Sequence, residues 1–266
     1  MSLKVGIVGA AGYAGAELIR LVLGHPEFEL AAITSNADAG QPLSAVHPSF
    51  TGVSDLVFTT HDAPELKNCD AVFLAVPHTA AMAQVPALLA SGVSCFDLSA
   101  DYRLNDASVF EAWYAAEHTS PELLKTRAFG LPELFCQDLE TAASDHADGK
   151  PVLVACAGCY PTATSLAAAP AVRAGWVAEN GPRDCRCHQR CDGCRQVLQR
   201  SYAFLQRRRE FGSIRRGQAS PHARNRADLG PDRSRRLYPA PGTAQAWSAL
   251  HGDAAARAAG SRHVDP

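Results

Sequence analysis

The chain has 266 residues, of which 47% are hydrophobic, and a formal net charge of −2. This length allows one large domain or two ordinary ones, and the composition is that of a globular protein. No apolar run approaches the roughly 18 residues that a membrane span requires, so none is expected. The amino-terminal sequence enters a strand at once, without the features of a signal peptide. We therefore expect a cytoplasmic protein whose nine cysteines are reduced.

The net charge conceals two segments of opposite sign. Residues 1–182 contain 4 Lys and 4 Arg against 20 acidic residues, a formal charge of −12. Residues 183–266 contain 17 Arg and no Lys against 7 acidic residues, a formal charge of +10, and only eight of them are Ile, Leu or Val. Segments that differ so strongly do not look like parts of one evolved globular chain.

A glycine-rich turn joins the first predicted strand to the first predicted helix. Residues 3–8 are an apolar run typical of a buried parallel strand, and residues 16–23 are apolar at helical spacing. The turn between them consists of Gly9, Ala10, Ala11, Gly12, Tyr13, Ala14 and Gly15. Glycines let a backbone approach a pyrophosphate, and a helix start favours its charge. The turn therefore predicts a dinucleotide site, with a plain tight turn as the alternative.

The end of the second predicted strand, residues 28–34, bears on the choice of cofactor. An NAD site usually places an acidic residue here, bonded to the ribose hydroxyl. This chain has Ser35 and Asn36 instead, and small hydroxyl and amide side chains tolerate a 2′-phosphate. We therefore predict NADP as the cofactor, with Ser35 as a contact. The alternative is that Asp38 takes the acidic role.

Alternating strands and helices predict the fold class. Residues 70–76 and 93–98 read as strands, and residues 80–90 read as a helix between them. This alternation indicates an α/β protein with a doubly wound parallel sheet of the Rossmann type. Loops after the carboxyl ends of such strands form the binding crevice, so Pro77 and Ser99 are candidate cofactor contacts.

Two further polar residues in these loops have open roles. His78 is a candidate for catalysis, although a loop histidine near a cofactor more often packs against it. Arg103 can clamp a phosphate or a carboxylate, and the alternative is an ordinary surface arginine.

A cysteine lies between the next predicted strand and helix. Residues 151–156 are an apolar run, and the residues from 163 onward favour a helix with Pro161 in its first turn. Cys159 would then lie at the helix start, where backbone N–H groups and the helix dipole stabilise an anion. Such a position favours the thiolate, which is the nucleophilic form. The alternative is an inert buried thiol, the usual role of a free cysteine.

Four segments together resemble the N-acetyl-gamma-glutamyl-phosphate reductase family. They are Gly-Ala-Ala-Gly-Tyr-Ala-Gly at 9–15, Phe-Asp-Leu-Ser-Ala-Asp-Tyr-Arg at 96–103, Gly-Leu-Pro-Glu at 130–133 and Gly-Cys-Tyr-Pro-Thr at 158–162. The last separates the chain from aspartate-semialdehyde dehydrogenases, which share the architecture.

The resemblance implies that NADPH reduces N-acetyl-glutamyl phosphate to the semialdehyde with release of phosphate, a step of arginine biosynthesis. It assigns the covalent nucleophile to Cys159, and it makes Arg103 and Thr162 candidate substrate contacts. It implies a small-molecule acyl phosphate as partner, with no nucleic acid, membrane or metal, and nothing in these residues supports a family-type homo-oligomer. The alternatives are an aminoadipyl- or aspartyl-phosphate reductase, and a non-catalytic NADP-binding remnant.

The resemblance also divides the chain. Residues 1–150 are predicted to form the NADP-binding domain, and residues 151–182 the start of a catalytic domain. The family's second domain carries a histidine acid/base in a His-Arg-His-Thr-Pro-Glu-type segment, which is missing here. Residues 183–266 therefore form an aberrant tail in place of a truncated or scrambled second domain. Their arginine-rich composition predicts disorder, and we expect weak activity or none.

The start of this tail permits two interpretations. Cys185, Cys187, His188, Cys191 and Cys194 are residue types that bind zinc, and the arginine-rich remainder would then form a nucleic-acid-binding arm. The alternative is a shifted reading frame. Back-translation of residues 185–195, read one base later, permits Val-Asp-Ala-Ile-Ser-Gly-Val-Thr-Gly-Ala-Gly. The same offset permits Lys-His-Arg-His-Thr-Pro-Glu-Ile from residues 218–226 and Phe-Thr-Pro-His from residue 237. We favour the frameshift, because it also explains the many arginines and the missing lysines.

The frameshift is testable on the gene. We expect the nucleotide sequence, read one base later from about codons 182–184, to encode the three segments above in that order. A shifted frame that soon meets stop codons, or encodes none of these segments, would contradict the interpretation. Stoichiometric zinc in the purified protein would instead support the metal site.

Overall fold

The computed structural model describes residues 2–176, in which six strands and six α-helices alternate. The strands are β1 (Leu3–Val8), β2 (Phe28–Thr34), β3 (Ala71–Leu74), β4 (Ser94–Asp97), β5 (Ala128–Gly130) and β6 (Leu153–Cys156). The helices are α1 (Tyr13–Leu23), α2 (Leu43–Val46), α3 (Val85–Ala90), α4 (Ala107–Tyr114), α5 (Pro132–Ala147) and α6 (Cys159–Arg173). Short 3₁₀ turns occur at Pro48–Phe50, Pro64–Asn68 and Pro121–Lys125. The predictions made for residues 183–266 lie outside the described residues.

All six strands form one sheet in the order β2-β1-β3-β4-β6-β5. Every neighbouring pair in it is parallel. The chain passes from β1 to β2 on one side and then returns to place β3 on the other side of β1. This confirms the predicted α/β fold with a doubly wound parallel sheet, and the strand order reverses beside β1. Such a reversal opens a crevice at the carboxyl ends of the strands.

Both faces of the sheet are buried. Ile7 packs in a cluster with Ile19 of α1 and Ile33 of β2, whereas the next residue, Val8, packs with Leu74 in a second cluster on the other face. Successive side chains of a strand point to opposite faces, so both faces need apolar residues and a cover. This explains why the strands read as continuous apolar runs in the sequence.

The carboxyl ends of the central strands lie at one level. Val8 pairs with both Thr34 and Leu74, Leu74 pairs with Asp97, and Asp97 pairs with Ala155. The loops that follow these strands therefore leave the sheet along one edge. That edge is called the carboxyl edge below.

The predicted helix over residues 80–90 is wrong in its first half, because α3 begins only at Val85. Pro86 is the second residue of α3, and a longer helix would drive its ring into the carbonyl of residue 82. Residues 79–84 instead form a looped segment whose Thr79 and Met82 amides donate to Asp101.

The sequence analysis did not predict β5 or α5. Strand β5 has only three residues, and α5 has no buried residue among its sixteen, so neither has a clear apolar periodicity. Phe135 also departs from helical geometry, with φ −125° and ψ 37°. Between residues 2 and 176, no helix combines the length and apolar character needed to cross a membrane.

Candidate functional site

The glycine turn after β1 is held between the ends of two neighbouring strands. The amides of Gly9 and Ala10 donate to the carbonyl of Thr34 at 3.1 and 2.9 Å. Gly9 has φ +81°, and a Cβ atom there would lie 2.4 Å from the carbonyl oxygen of Ala75. Both the backbone conformation and the approach of Ala75 therefore require glycine at this position.

The three glycines of the turn differ in what requires them. At Gly15, a Cβ atom would lie 2.5 Å from Cα of Ala10, so packing of the helix on the turn demands glycine. At Gly12, the nearest atom would be the oxygen of Gly9 at 3.7 Å, an ordinary contact, and φ −80° with ψ 172° suits any residue. The protein's own packing thus gives no reason for Gly12, which immediately precedes α1.

The open space at Gly12 lies at the amino end of an eleven-residue helix. Gly12 has no side chain to cap the first amides of α1, which have no acceptors within the helix. A bound phosphate group can approach these amides because Gly12 lacks a Cβ atom. The residues present therefore fit the pyrophosphate of a dinucleotide. Of the remaining turn residues, Ala10 is buried, Ala11 is half-buried, and Tyr13 and Ala14 are exposed.

Both residues considered for the ribose contact lie together at the end of β2. The Ser35 hydroxyl donates to a carboxylate oxygen of Asp38 at 2.7 Å, and the Ser35 amide donates to Thr59 at 2.9 Å. Ser35 is buried and Asp38 is half-buried. The structure thus places a hydroxyl and a carboxylate at this strand end, and the hydroxyl donates a hydrogen bond to the carboxylate.

The loop after β3 contains the candidates Pro77 and His78, both exposed. The imidazole of His78 lies with its centroid 5.6 Å from the ring of Tyr114. Thr79 has φ +73°, a left-handed conformation that is rare for a β-branched residue. This loop begins at Ala75, whose carbonyl contacts the glycine turn.

The loop after β4 is a buried polar network. Ser99 donates to Asp97 through both its amide, at 2.8 Å, and its hydroxyl, at 2.9 Å. The Ser99 hydroxyl also accepts from the Asp101 amide at 3.1 Å. Ser99 is therefore at the carboxyl edge, as predicted, but its hydroxyl is buried and bonded within the protein. Burial raises the pKa of Asp97 to about 6, against the opposing effect of the Ser99 bonds.

Cys159 is the first residue of α6 and is exposed. A two-residue loop, Ala157 and Gly158, connects it to β6 at the carboxyl edge. Cys159 is therefore not the buried thiol of the alternative interpretation. That description fits Cys95, where burial raises the pKa to about 12.

The pKa is raised for each of the other cysteines of the described segment. Burial raises the pKa of Cys69 and of Cys156 to about 11. Cys136 is exposed like Cys159, but its thiol donates to Glu140 at 3.2 Å, and this bond raises its pKa. A raised pKa lowers the thiolate fraction near neutral pH, because the thiolate is the reactive form.

Arg103 lies against the residue that precedes the cysteine. Its Nε donates to the carbonyl of Cys156 at 2.9 Å and one Nη to the carbonyl of Leu98 at 2.6 Å, which joins the ends of β6 and β4. Its other Nη lies 2.7 Å from where a Cβ atom of Gly158 would be. Arg103 is therefore not an ordinary surface arginine. The first-turn residue Thr162, half-buried, donates its amide to Gly158 at 2.9 Å.

The sequence analysis missed Arg127, which fixes the backbone of Arg103. The Nε of Arg127 donates to the carbonyl of Tyr102, and one Nη donates to the carbonyl of Arg103 at 3.3 Å and to the side chain of Asn105. An arginine that bonds main-chain carbonyls from a distant segment leaves no local pattern in the sequence.

The carboxyl edge thus brings together a glycine turn at a helix start, a polar loop with a guanidinium group, and an exposed thiol at a second helix start. Within residues 2–176, no three His, Cys, Asp or Glu side chains are grouped to hold a metal ion. The zinc ligands considered at residues 185–194 lie outside this range.

Comparisons with known proteins identify the family of this chain. The profile of a family described as "Semialdehyde dehydrogenase, NAD binding domain" matches residues 4–142. The N-acetyl-gamma-glutamyl-phosphate reductase of Herminiimonas arsenicoxydans is 46% identical over 185 residues, which are 69% of this chain and 51% of that protein. The protein of the same name from Halorhodospira halophila is 41% identical over 209 residues, 79% of this chain and 58% of the relative.

A solved structure of aspartate semialdehyde dehydrogenase with NADP from Candida albicans is similar, with TM-score 0.46 and 18% identity over 69% of this chain and 49% of that one. The chain spans about half the length of the curated relatives that it matches.

The glycine turn provides a matched pair of variants. We expect Gly15→Ala to lower the thermal unfolding midpoint, because its new methyl group overlaps the Ala10 backbone. Gly12→Ala meets no protein atom closer than 3.7 Å, so the midpoint should stay within about 2 °C of the wild type. Dinucleotide binding by Gly12→Ala should nevertheless weaken by about tenfold or more, because the methyl group faces the pyrophosphate. Thermal melts and equilibrium titration with NADPH measure both effects. Unchanged NADPH affinity in Gly12→Ala would contradict this assignment.

Asp97 should make stability depend on pH. The folded protein keeps this carboxyl protonated up to about pH 6, whereas an unfolded aspartate releases its proton near about pH 4. The stability from protonated Asp97 is therefore complete below about pH 4 and lost as the pH rises to about 6. Relative to Asp97→Asn, the wild type should lose about 3 kcal/mol across this window, as measured by urea unfolding at several pH values.

Asp106→Asn is the control for this experiment. The bond from Ser108 lowers the pKa of Asp106, so its contribution has the opposite sign and is lost as the pH falls. If the free energy of unfolding changed with pH in the same way for the wild type and Asp97→Asn, Asp97 would be ruled out as the cause of the pH dependence.

Proposed function

Since the chain belongs to the semialdehyde dehydrogenase family through its NAD-binding domain, we propose that it reduces an acyl phosphate to a semialdehyde with NADPH, releasing phosphate. The proposed substrate is N-acetyl-L-glutamyl 5-phosphate and the product N-acetyl-L-glutamate 5-semialdehyde, in arginine biosynthesis. The names of the relatives above support this substrate. The proposal is carried by the exposed Cys159 at the start of α6, on the edge that also bears the glycine turn.

Cys159 is the proposed nucleophile. Its thiolate attacks the acyl carbon, the new C–S bond forms, and the C–O bond to phosphate breaks as phosphate leaves. The start of α6 stabilises negative charge on the carbonyl oxygen during the attack. A bound NADPH supplies the hydride that reduces the thioester. Cleavage of the C–S bond then frees the aldehyde and returns Cys159 as a thiolate.

Arg103 is proposed to contact the substrate beside this cysteine. Two of its nitrogen atoms are already bonded to the carbonyls of Cys156 and Leu98, so the guanidinium group is held in one orientation. The remaining nitrogen faces Gly158, next to the nucleophile, where its charge suits a phosphate or carboxylate. Thr162, one helical turn into α6, is the second proposed contact.

The glycine turn is proposed to bind the pyrophosphate, with Ser35 near the 2′-phosphate and Pro77 and Ser99 lining the crevice. The Ser35 hydroxyl donates its one proton to Asp38, so Ser35 would meet the 2′-phosphate as a small residue rather than as a donor. Ser99 would contribute through its position, because its hydroxyl is bonded to Asp97. The choice of NADP predicts tighter binding of NADPH than of NADH.

A second candidate is an NADP-binding protein without turnover. The observation that favours it is the absence from the sequence of the His-Arg-His-Thr-Pro-Glu-type segment with the family's acid/base histidine. General acid–base assistance is typically worth about 10²–10⁴-fold in rate, so its loss would leave weak activity or none. On either candidate the glycine turn binds the same cofactor.

The nucleophile is tested by Cys159→Ser. The assay follows the reverse reaction, in which the semialdehyde is oxidised in the presence of phosphate and NADP⁺ is reduced to NADPH. We expect the rate of this reaction to fall by at least about a thousandfold in the variant, because a hydroxyl is a far weaker nucleophile at neutral pH. Its affinity for NADPH should stay within about twofold, because the glycine turn is unchanged. Assays with N-acetyl-glutamyl, aminoadipyl and aspartyl phosphates identify the substrate.

Cys136→Ser is the matched control, because Cys136 is also exposed and bonds only Glu140. It should retain the wild-type rate. Comparable activity in Cys159→Ser would exclude this cysteine as the nucleophile. A wild type that binds NADPH and turns over none of the three acyl phosphates would instead establish the second candidate.

A further inference from the structure

Asp101 is a buried acid that the proposed chemistry does not use. It is fully excluded from solvent, and no Lys, Arg or His in residues 2–176 forms an ion pair with it. Its two carboxyl oxygens accept from two backbone amides of another loop, Thr79 at 2.6 Å and Met82 at 3.0 Å. A buried acid is costly unless it is well bonded, so these two bonds determine where the loop lies.

The loop that Asp101 holds is strained. Thr79 has φ +73°, and the left-handed region is unfavourable for a β-branched residue. Thr79 is exposed, so packing does not force this conformation. The bond from its amide to Asp101 is the contact that stabilises it. Without that bond, the loop would be expected to relax to a right-handed or extended conformation.

This loop leaves the sheet beside the glycine turn, where the strand order reverses. It begins at Ala75, whose carbonyl oxygen lies 2.4 Å from where a Cβ atom of Gly9 would be, and continues through Pro77 and His78. On its other side, the Thr119 hydroxyl donates to the carbonyl of Met82 at 3.3 Å. Asp101 and Thr119 thus both hold the loop at Met82, whereas Asp101 holds it at Thr79.

We propose that Asp101 is a positioning residue for cofactor binding, which holds the strained loop of residues 77–82 against the glycine turn in the conformation that accepts the nicotinamide dinucleotide. Asp101 does not touch the cofactor in this proposal. Its effect passes through Thr79, whose conformation determines the direction of Pro77 and His78. The proposal rests on the proposed function, because it concerns the same dinucleotide crevice.

The test is a double-mutant cycle of Asp101→Asn and Thr79→Gly in the full chain, with NADPH affinity as the readout. Asparagine has the same shape as aspartate, but its side-chain NH₂ group replaces one of the two acceptor oxygens. One of the two backbone N–H groups would then face a donor instead of an acceptor. We expect Asp101→Asn to weaken NADPH binding by about tenfold or more. Glycine adopts the left-handed conformation without strain, so Thr79→Gly in the Asp101→Asn background should recover about fivefold to thirtyfold.

Controls separate positioning from general stability. Asp106→Asn also removes an acid that accepts a backbone amide, that of Ser108, but at the exposed start of α4. It should leave NADPH affinity unchanged and show no coupling to Thr79→Gly. Thermal melts show whether each variant is folded at the temperature of the titration. A folded Asp101→Asn with wild-type affinity, or a double variant no better than Asp101→Asn, would overturn the proposal.

Three further outcomes also decide the proposal. If Asp101→Asn does not fold, hydrogen exchange of the wild-type Thr79 and Met82 amides with and without NADPH replaces the cycle. Stronger protection on binding supports the proposal, and unchanged protection overturns it. A wild type that binds no NADPH overturns the proposed function itself, and the positioning role with it. A wild type that binds NADPH but shows no coupling in the cycle overturns only the positioning role.

Discussion

The close approach of β1 and β3 at their carboxyl ends is the constraint from which the site follows. The carbonyl of Ala75 occupies the space beside Gly9 that a side chain would need, and Thr34 holds the same turn from the β2 side. The turn therefore has one path, and that path directs the amino end of α1 toward the crevice. Because the parallel strands end at the same height in the sheet, the loops after β4 and β6 leave the sheet at this same edge. A glycine turn, an arginine and a cysteine from distant parts of the chain meet there for this reason.

Buried polar groups at this edge restrict its geometry. Asp97 is so poorly solvated that its pKa rises to about 6, which shows that its ionised form is disfavoured. The Ser99 hydroxyl donates to Asp97 and accepts from the amide of Asp101. The carboxylate of Asp101 in turn accepts from the amide of Thr79, in the loop after β3. Apolar residues would be easier to bury, but they would not fix the separation of two loops. The polar chain sets that separation.

The sequence predicted the sheet well because its strands are buried on both faces. The bounds of β2 and the start of α6 at Cys159 agree with the expectation, since long apolar runs with glycine or proline at their ends leave little ambiguity. Residues 80–84 were misassigned, because an apolar pattern suggested a helix while Pro86 and the side chain of Asp101 fixed a loop. Strand β5 and helix α5 were missed for lack of buried periodicity.

The candidate site was predictable where chemistry and local pattern coincide. Glycines at a strand–helix turn and a cysteine at a helix start are local signals, and the structure places both at the carboxyl edge. The roles of Arg127 and Asp101 depend on bonds between segments about 20 to 25 residues apart, which no local spacing encodes. Sequence reasoning also could not separate Gly12 from Gly9 and Gly15, because the three differ only in what surrounds them.

Because Cys159 is exposed, the proposed chemistry at this edge requires a cover that keeps water from the cysteine. A thioester awaiting reduction is open to hydrolysis unless water is kept away from it. Within residues 2–176, the cysteine is exposed, α5 has no buried residue, and Trp176 at the end of this range is 83% exposed. Residues 2–176 thus contain the proposed cofactor crevice and the proposed nucleophile, but no cover over that cysteine. Efficient turnover therefore requires a wall from outside these residues. For this reason the reading frame beyond residue 182 bears directly on activity, whereas the proposed cofactor contacts all lie within residues 2–176.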